Sequence, residues 1–151
     1  MSEITLGATP DLPVLLKATS QVERILQEYA WVQEHLEGAR IIRRRWEPTG
    51  SSLEMLTVHL GEEDYRHVFF RIESGLPEQP IQGLSMEAPI PIGSVAEEYQ
   101  WVRRVFQGLK AMEQELRVTP IGPRDVLTVN LPEGEKARIW FDITAFFGRS
   151  K

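Results

Sequence analysis

The chain contains no cysteine. That excludes disulfide staples, thiolate metal sites and cysteine nucleophiles together. It has no apolar run near the ~20 residues that a membrane-spanning helix needs. Basic charge is scarce: 17 Lys and Arg stand against 22 Asp and Glu, a net charge of −5. A non-specific nucleic-acid binder needs a basic footprint, so neither nucleic acid nor a membrane is an expected partner. The stretch Met1 to Pro10 lacks the positive start and apolar core of a secretory signal, and a cytoplasmic protein is expected. Catalytic signatures are missing too. There is no Gly-x-Ser-x-Gly elbow, no Gly-x-x-x-x-Gly-Lys phosphate loop and no Gly-x-Gly-x-x-Gly turn. No cofactor or metal is expected.

What is present is ordinary globular material. At 151 residues, 42% hydrophobic and 26% charged, the chain fits a single domain and not a disordered segment. Ser20 and Glu23 have capping-box spacing, and Val22, Ile25, Tyr29, Val32 and Leu36 then share one helical face. Gly38 is a suitable stop. Arg40 to Trp46 reads as a strand, Gly50 to Ser52 as a turn. Leu53 to Leu60 and Tyr65 to Glu73 alternate at period two, with a turn at Gly61 to Asp64. Ser74 to Gly93 is rich in Pro and Gly and reads as a linker. Ser94 and Glu97 repeat the capping box, followed by Val95, Tyr99, Val102, Phe106 and Leu109 on a second helical face that could continue through Met112 and Leu116. Asp125 to Leu131 and Ala137 to Ile143 form another hairpin pattern, turning at Pro132 to Lys136.

Two blocks recur. Glu28-Tyr29-Ala30-Trp31-Val32 matches Glu98-Tyr99-Gln100-Trp101-Val102 at an offset of 98 − 28 = 70. At that offset Gly38 falls on Gly108. Leu56-Thr57-Val58-His59-Leu60 matches Leu127-Thr128-Val129-Asn130-Leu131 at 127 − 56 = 71, and the match runs on through Phe70 with Phe141 and Ile72 with Ile143. Pro48 and Gly50 find rough counterparts in Pro120 and Gly122. The paired tryptophans carry most weight, because Trp is rare. An internal duplication is expected, with half-repeats at 20–73 and 94–143, a linker at 74–93 and a tail at 144–151. The expected fold is α+β: two pseudo-symmetric halves, each a helix plus antiparallel strands, with helices on one sheet face. Each half is α-β-β-β, or β-α-β-β-β if Leu12–Leu16 and Ala88–Ile92 supply a leading strand.

In element order alone, paired halves of this kind look like the vicinal-oxygen-chelate class, built from strand-helix-three-strand units around a metal cleft. They also look like the regulator-type effector-binding domain, built from strand-helix-two-strand units around a small-molecule groove. The helices here look long for the first class, and its metal ligands have no counterparts.

The sheet face away from the helices carries Thr57, His59, His67, Phe69 and Arg71 in one half, and Thr128, Asn130, Arg138, Trp140 and Asp142 in the other. One aromatic per half on a polar face is consistent with a ligand or partner surface. Trp31 and Trp101 lie off the main apolar stripes and are candidate interface anchors. His59 and His67, with Glu73, make at most a minimal metal set without a ligand motif. Arg43, Arg44 and Arg45 split between strand faces and form no patch. The expectation is a non-catalytic binding or protein-interaction module, with a protein or small molecule as partner and a homodimer as one form. The alternative is a small-molecule binder or enzyme using a cleft between the halves. Candidate binding residues are Trp31, Trp101, His59, His67, Phe69, Arg71, Arg138, Trp140 and Asp142.

Overall fold

A computed structural model describes residues 6–46, 52–106, 109, 111–132 and 134–148. The fold is α+β, and the chain separates into two compact units, one ending at Glu78 and the other beginning at Gln79. The first runs β1 (Val14–Ala18), α1 (Gln21–His35), β2 (Arg40–Trp46), β3 (Leu53–Gly61) and β4 (Asp64–Ser74). The second runs β5 (Ile90–Pro91), α2 (Val95–Val105), β6 (Ala111–Thr119), β7 (Gly122–Asn130) and β8 (Lys136–Asp142). Each half has a four-stranded sheet, ordered β1-β4-β3-β2 and β5-β8-β7-β6. The leading strand lies parallel to the last, and the other neighbours are antiparallel. Both halves are therefore β-α-β-β-β, the longer of the two expected orders. No helix among the described residues is long and apolar enough to cross a membrane.

The helix starts follow the capping chemistry. Glu23 N–H donates to Ser20 Oγ at 3.2 Å, and Glu97 N–H donates to Ser94 Oγ at the same distance. Each glutamate carboxylate accepts from the N–H of the residue before the N-cap, Thr19 in one half and Gly93 in the other. The cores form as the period-two pattern requires. In the first half Leu56, Val58, Val68 and Phe70 meet Val32, with Tyr29, Leu36, Leu60 and Ile72 packed around them. In the second half Leu127, Val129, Leu131, Ile139, Phe141 and Ile143 are all buried, as are Val102, Val105 and Phe106.

The structure corrects several boundaries. The second helix does not continue through Met112 and Leu116: α2 ends at Val105, and Ala111–Thr119 is strand β6. A four-residue separation fits helical and strand periods alike, so Met112 and Leu116 could not decide between them. The leading strands are Val14–Ala18, displaced from Leu12–Leu16, and Ile90–Pro91, a short piece within Ala88–Ile92. Gly50 and Ser51 of the expected turn, Pro48, Gly108, and Glu133 of the last hairpin turn lie outside the described residues.

The two halves share details that the sequence blocks did not include. Gly7 and Gly83 both have positive φ, +90° and +103°. Gly7 N–H donates to the Leu12 carbonyl and its own carbonyl accepts from Phe69 N–H; Gly83 pairs with Ala88 and Trp140 in the same way. A Cβ at either glycine would sit 2.8 Å from Val14 or 2.9 Å from Ile90. Both loops thus cap the sheet edge just before the leading strand, and both need glycine. Register breaks fall at Ile42 and Met112, the same place in β2 and β6.

Candidate functional site: a buried acid pair in each half

One acid in each half occupies an apolar position of the sheet. Glu54 is in phase with Leu56 and Val58, and Asp125 is in phase with Leu127 and Val129. Their cross-strand partners are Phe70 and Phe141, the largest buried side chains of the two cores. A second acid faces each of them from the helix: Glu28 on α1 and Glu98 on α2, both with no exposed surface. The offsets 125 − 54 = 71 and 98 − 28 = 70 match those of the sequence blocks. An uncompensated buried charge costs several kcal/mol, so each pair must be neutralised in some way.

The first half uses arginine. Arg24, one helical turn before Glu28, donates Nη1–H to Glu54 Oε2 and lies 3.8 Å from Glu28 Oε2. Arg44 on β2 donates Nε–H to Glu28 Oε1 at 3.1 Å. Two guanidinium groups thus balance two carboxylates. Burial first, then the hydrogen bond and charge of Glu54, hold the Glu28 carboxyl well above the usual carboxylate range even with Arg44 and Arg24 beside it.

Neither arginine has a counterpart in the second half. Register places Gln114 where Arg44 stands: Arg44 lies opposite Leu56, and Gln114 lies opposite Leu127. The position of Arg24 falls at 24 + 70 = 94, and residue 94 is the N-cap serine. α2 has 11 residues against 15 in α1, and the turn that carries Arg24 is the one it lacks. Gln114 Nε2–H donates to Asp125 Oδ2 at 3.0 Å, and Tyr99 O–H donates to Gln114 Oε1 at 2.8 Å. Among the described residues neither Glu98 oxygen meets an N–H or hydroxyl donor. Burial, then the hydrogen bond to Asp125 and its charge, push the Glu98 carboxyl up to about 9. Glu98 therefore holds a proton at neutral pH, shared toward Asp125. The same surroundings raise the Tyr99 hydroxyl, burial first and then the two acids.

The residues singled out from sequence fall elsewhere. Trp31 and Trp101 are half-buried, and each meets the core phenylalanine of its own half edge-on, Phe70 at 5.6 Å and Phe141 at 5.5 Å. Long side chains on a helix lean toward the preceding turn, so a position off the stripe still reaches the sheet. Phe69 lies on the face away from α1 and is buried. His59 stacks on Tyr65 and donates Nε2–H to the Glu62 carbonyl at 2.8 Å, while His67 hydrogen-bonds Thr57 Oγ1 at 3.2 Å. The two histidines are diagonal across β3 and β4, not directly opposed. Arg71 is half-buried in β4 opposite Leu53. In the second half Arg138 pairs with Glu115 at 3.0 Å, and Arg117 lies over the Trp140 ring at 5.8 Å. Asp142 accepts from Thr144 N–H and O–H and pairs with Arg124, which lowers its proton affinity.

Among the described residues no group of three or more His, Asp or Glu could hold a metal ion. The metal of the vicinal-oxygen-chelate architecture thus finds no matching ligand set there. No family model matches the chain, and no curated protein matches it significantly. The acid pairs were open to detection from sequence. Glu54 and Asp125 interrupt an apolar stripe in phase, and Glu28 and Glu98 both sit in the recurring Glu-Tyr-x-Trp-Val frame.

Proposed function

We propose that this chain is a non-catalytic protein-interaction module that receives an extended segment of a partner protein along β6. The supporting observation is the exposure of this strand. β6 is the edge of its sheet, and none of its nine residues is buried. Met112, Leu116 and Val118 are 62%, 55% and 73% exposed, with Ile121 in the following turn at 54%. An edge strand offers unpaired backbone donors and acceptors, and an apolar row beside them gives side-chain pockets for an added strand. The opposite face of β6 carries Glu115 and Arg117 beside Trp140 and Arg138, a polar rim with one aromatic. The paired glycine loops, paired bulges and paired acids further support descent of the two halves from one duplicated unit.

A photo-crosslinking residue at Val118, with a control at exposed Arg43 on β2, tests this reading in the producing cell. Crosslinks to one protein at Val118 but not at Arg43, abolished by Leu116→Lys, are the expected result. Crosslinks to a second copy would make the module a homodimer. Equal labelling at both positions would remove β6 as the contact surface.

A second reading, a small-molecule binder or enzyme, draws on Glu98. A carboxyl that keeps its proton at neutral pH is a feature of catalytic acids as well as of structural pairs.

A further inference from the structure

We propose that the Glu98–Asp125 pair of the second half is a receptor for a guanidinium group supplied from outside the chain, entering where Gln114 now bridges Asp125 and Tyr99. The molecule itself shows what such an acid pair accepts. In the first half the equivalent acids, Glu28 and Glu54, hold the guanidinium groups of Arg24 and Arg44. The second half keeps both acids, the apolar surround and the sheet register, but carries serine and glutamine at the arginine positions. Glu98 is fully buried, and among the described residues no N–H or hydroxyl is directed at its carboxyl oxygens. Its counterpart Glu28 is the acid that accepts from Arg44 in the first half.

The entry route is a side-chain movement. Gln114 is exposed, lies on edge strand β6, and holds the site by donating to Asp125 and accepting from Tyr99. A guanidinium can replace its amide as donor to Asp125 and also reach Glu98, bringing a cation to the two acids where the amide brings none. An ammonium matches a site of two carboxyl groups less well, because it lacks the rigid fork of donors that a guanidinium presents. Binding releases the proton that Glu98 holds. The groups facing it are Asp125 from β7 and Tyr99 on its own helix, with neutral Gln114 from β6. Affinity should therefore rise with pH, by up to about tenfold per unit below the Glu98 midpoint. The proposal rests on the acid pair and not on the reading of β6 as a docking edge, although Gln114 lies on that strand.

The test is a titration of the full chain with Nα-acetyl-arginine methylamide, followed by amide shifts of Glu98, Tyr99, Gln114 and Asp125. Nα-acetyl-citrulline methylamide is the neutral control. Saturable shifts with the arginine compound alone are expected, tightening about tenfold when the pH is raised by one unit. Gln114→Arg should fill the site from within, lower the Glu98 midpoint read by its side-chain carboxyl signal, and abolish ligand shifts. An extended peptide with a single arginine separates the sources. Equal binding assigns the site to any guanidinium, and much tighter peptide binding assigns it to an arginine carried on a chain. No saturable shift with either ligand, equal response to citrulline, or unaltered binding by Gln114→Arg would overturn the proposal.

Discussion

The two halves solve one electrostatic problem in two ways. Both bury a helix glutamate against a sheet acid, at matching positions under matching phenylalanines. The first half brings two arginines to the acids. The second brings only Gln114, while burial and the neighbouring acid raise the helix carboxyl in both halves. The difference shows that the acid pair, not the ion-pair network around it, is the feature common to both halves. It also shows how a change of one helical turn alters chemistry. Shortening the helix ahead of the shared Glu-Tyr-x-Trp-Val frame leaves the core packing in place and deletes a charge. From N-cap to buried glutamate the distance is 28 − 20 = 8 residues in α1 and 98 − 94 = 4 in α2.

This comparison can be broken most forcefully at Arg24. Arg24→Met leaves Glu54 without its closest cation and should cost about 3–5 kcal/mol, read by denaturant unfolding and by amide exchange in the first sheet. The corresponding position in the second half tolerates far more: Ser94→Ala should cost only about 1 kcal/mol, the worth of an N-cap. Similar losses at the two positions would mean that Arg24 does not neutralise the pair.

Acid–base behaviour comes next in size. Folded, Glu98 titrates near 9, well above an ordinary carboxyl. Between the two values the folded protein holds a proton that the unfolded chain has released. The stabilisation is complete below the ordinary carboxyl range and is lost as pH rises toward 9, by on the order of 1 kcal/mol per unit. Glu98→Gln should flatten that slope and raise stability at about pH 8, measured by unfolding across the pH series. A slope unchanged in the variant would assign the pH dependence to other groups.

Smaller effects should be alike in the two halves. Gly7→Ala and Gly83→Ala each force a side chain into positive φ and onto a core aliphatic, at about 1–3 kcal/mol each. Exchange measured separately on each sheet should show matched losses. Ser20→Ala should cost about 1 kcal/mol, as at Ser94. Unequal glycine effects would weaken the argument for descent from one unit more than any other result here.

Much of the fold was legible because it depends on local periods. Caps at Ser20 and Ser94, the apolar phase of β3, β4, β7 and β8, and the two-half layout follow from spacing alone. β6 was not legible, since Met112 and Leu116 satisfy both periods and its apolar residues are exposed. The glycine loops were missed because their offset, 83 − 7 = 76, differs from that of the other blocks. In the candidate site, a helical wheel puts the tryptophans off the apolar stripe because it ignores the direction in which long side chains lean; each meets the core phenylalanine of its half. Glu28 and Glu98 were visible as recurring letters, but a recurring acid on a helix is usually a solvated one.

By itself the sequence determined the alternation that places Glu54 and Asp125 on the apolar faces, and the frame that places Glu28 and Glu98 on the helices. Those facts rest on periods of two and 3.6 residues, which are local. Only the tertiary structure decided which charges meet them. Arg24, Glu28, Arg44 and Glu54 come from α1, β2 and β3 and meet only once those elements pack. Whether a buried acid is paired or protonated depends on distances of a few ångströms across the core, because there the Coulomb and desolvation terms are large and opposed.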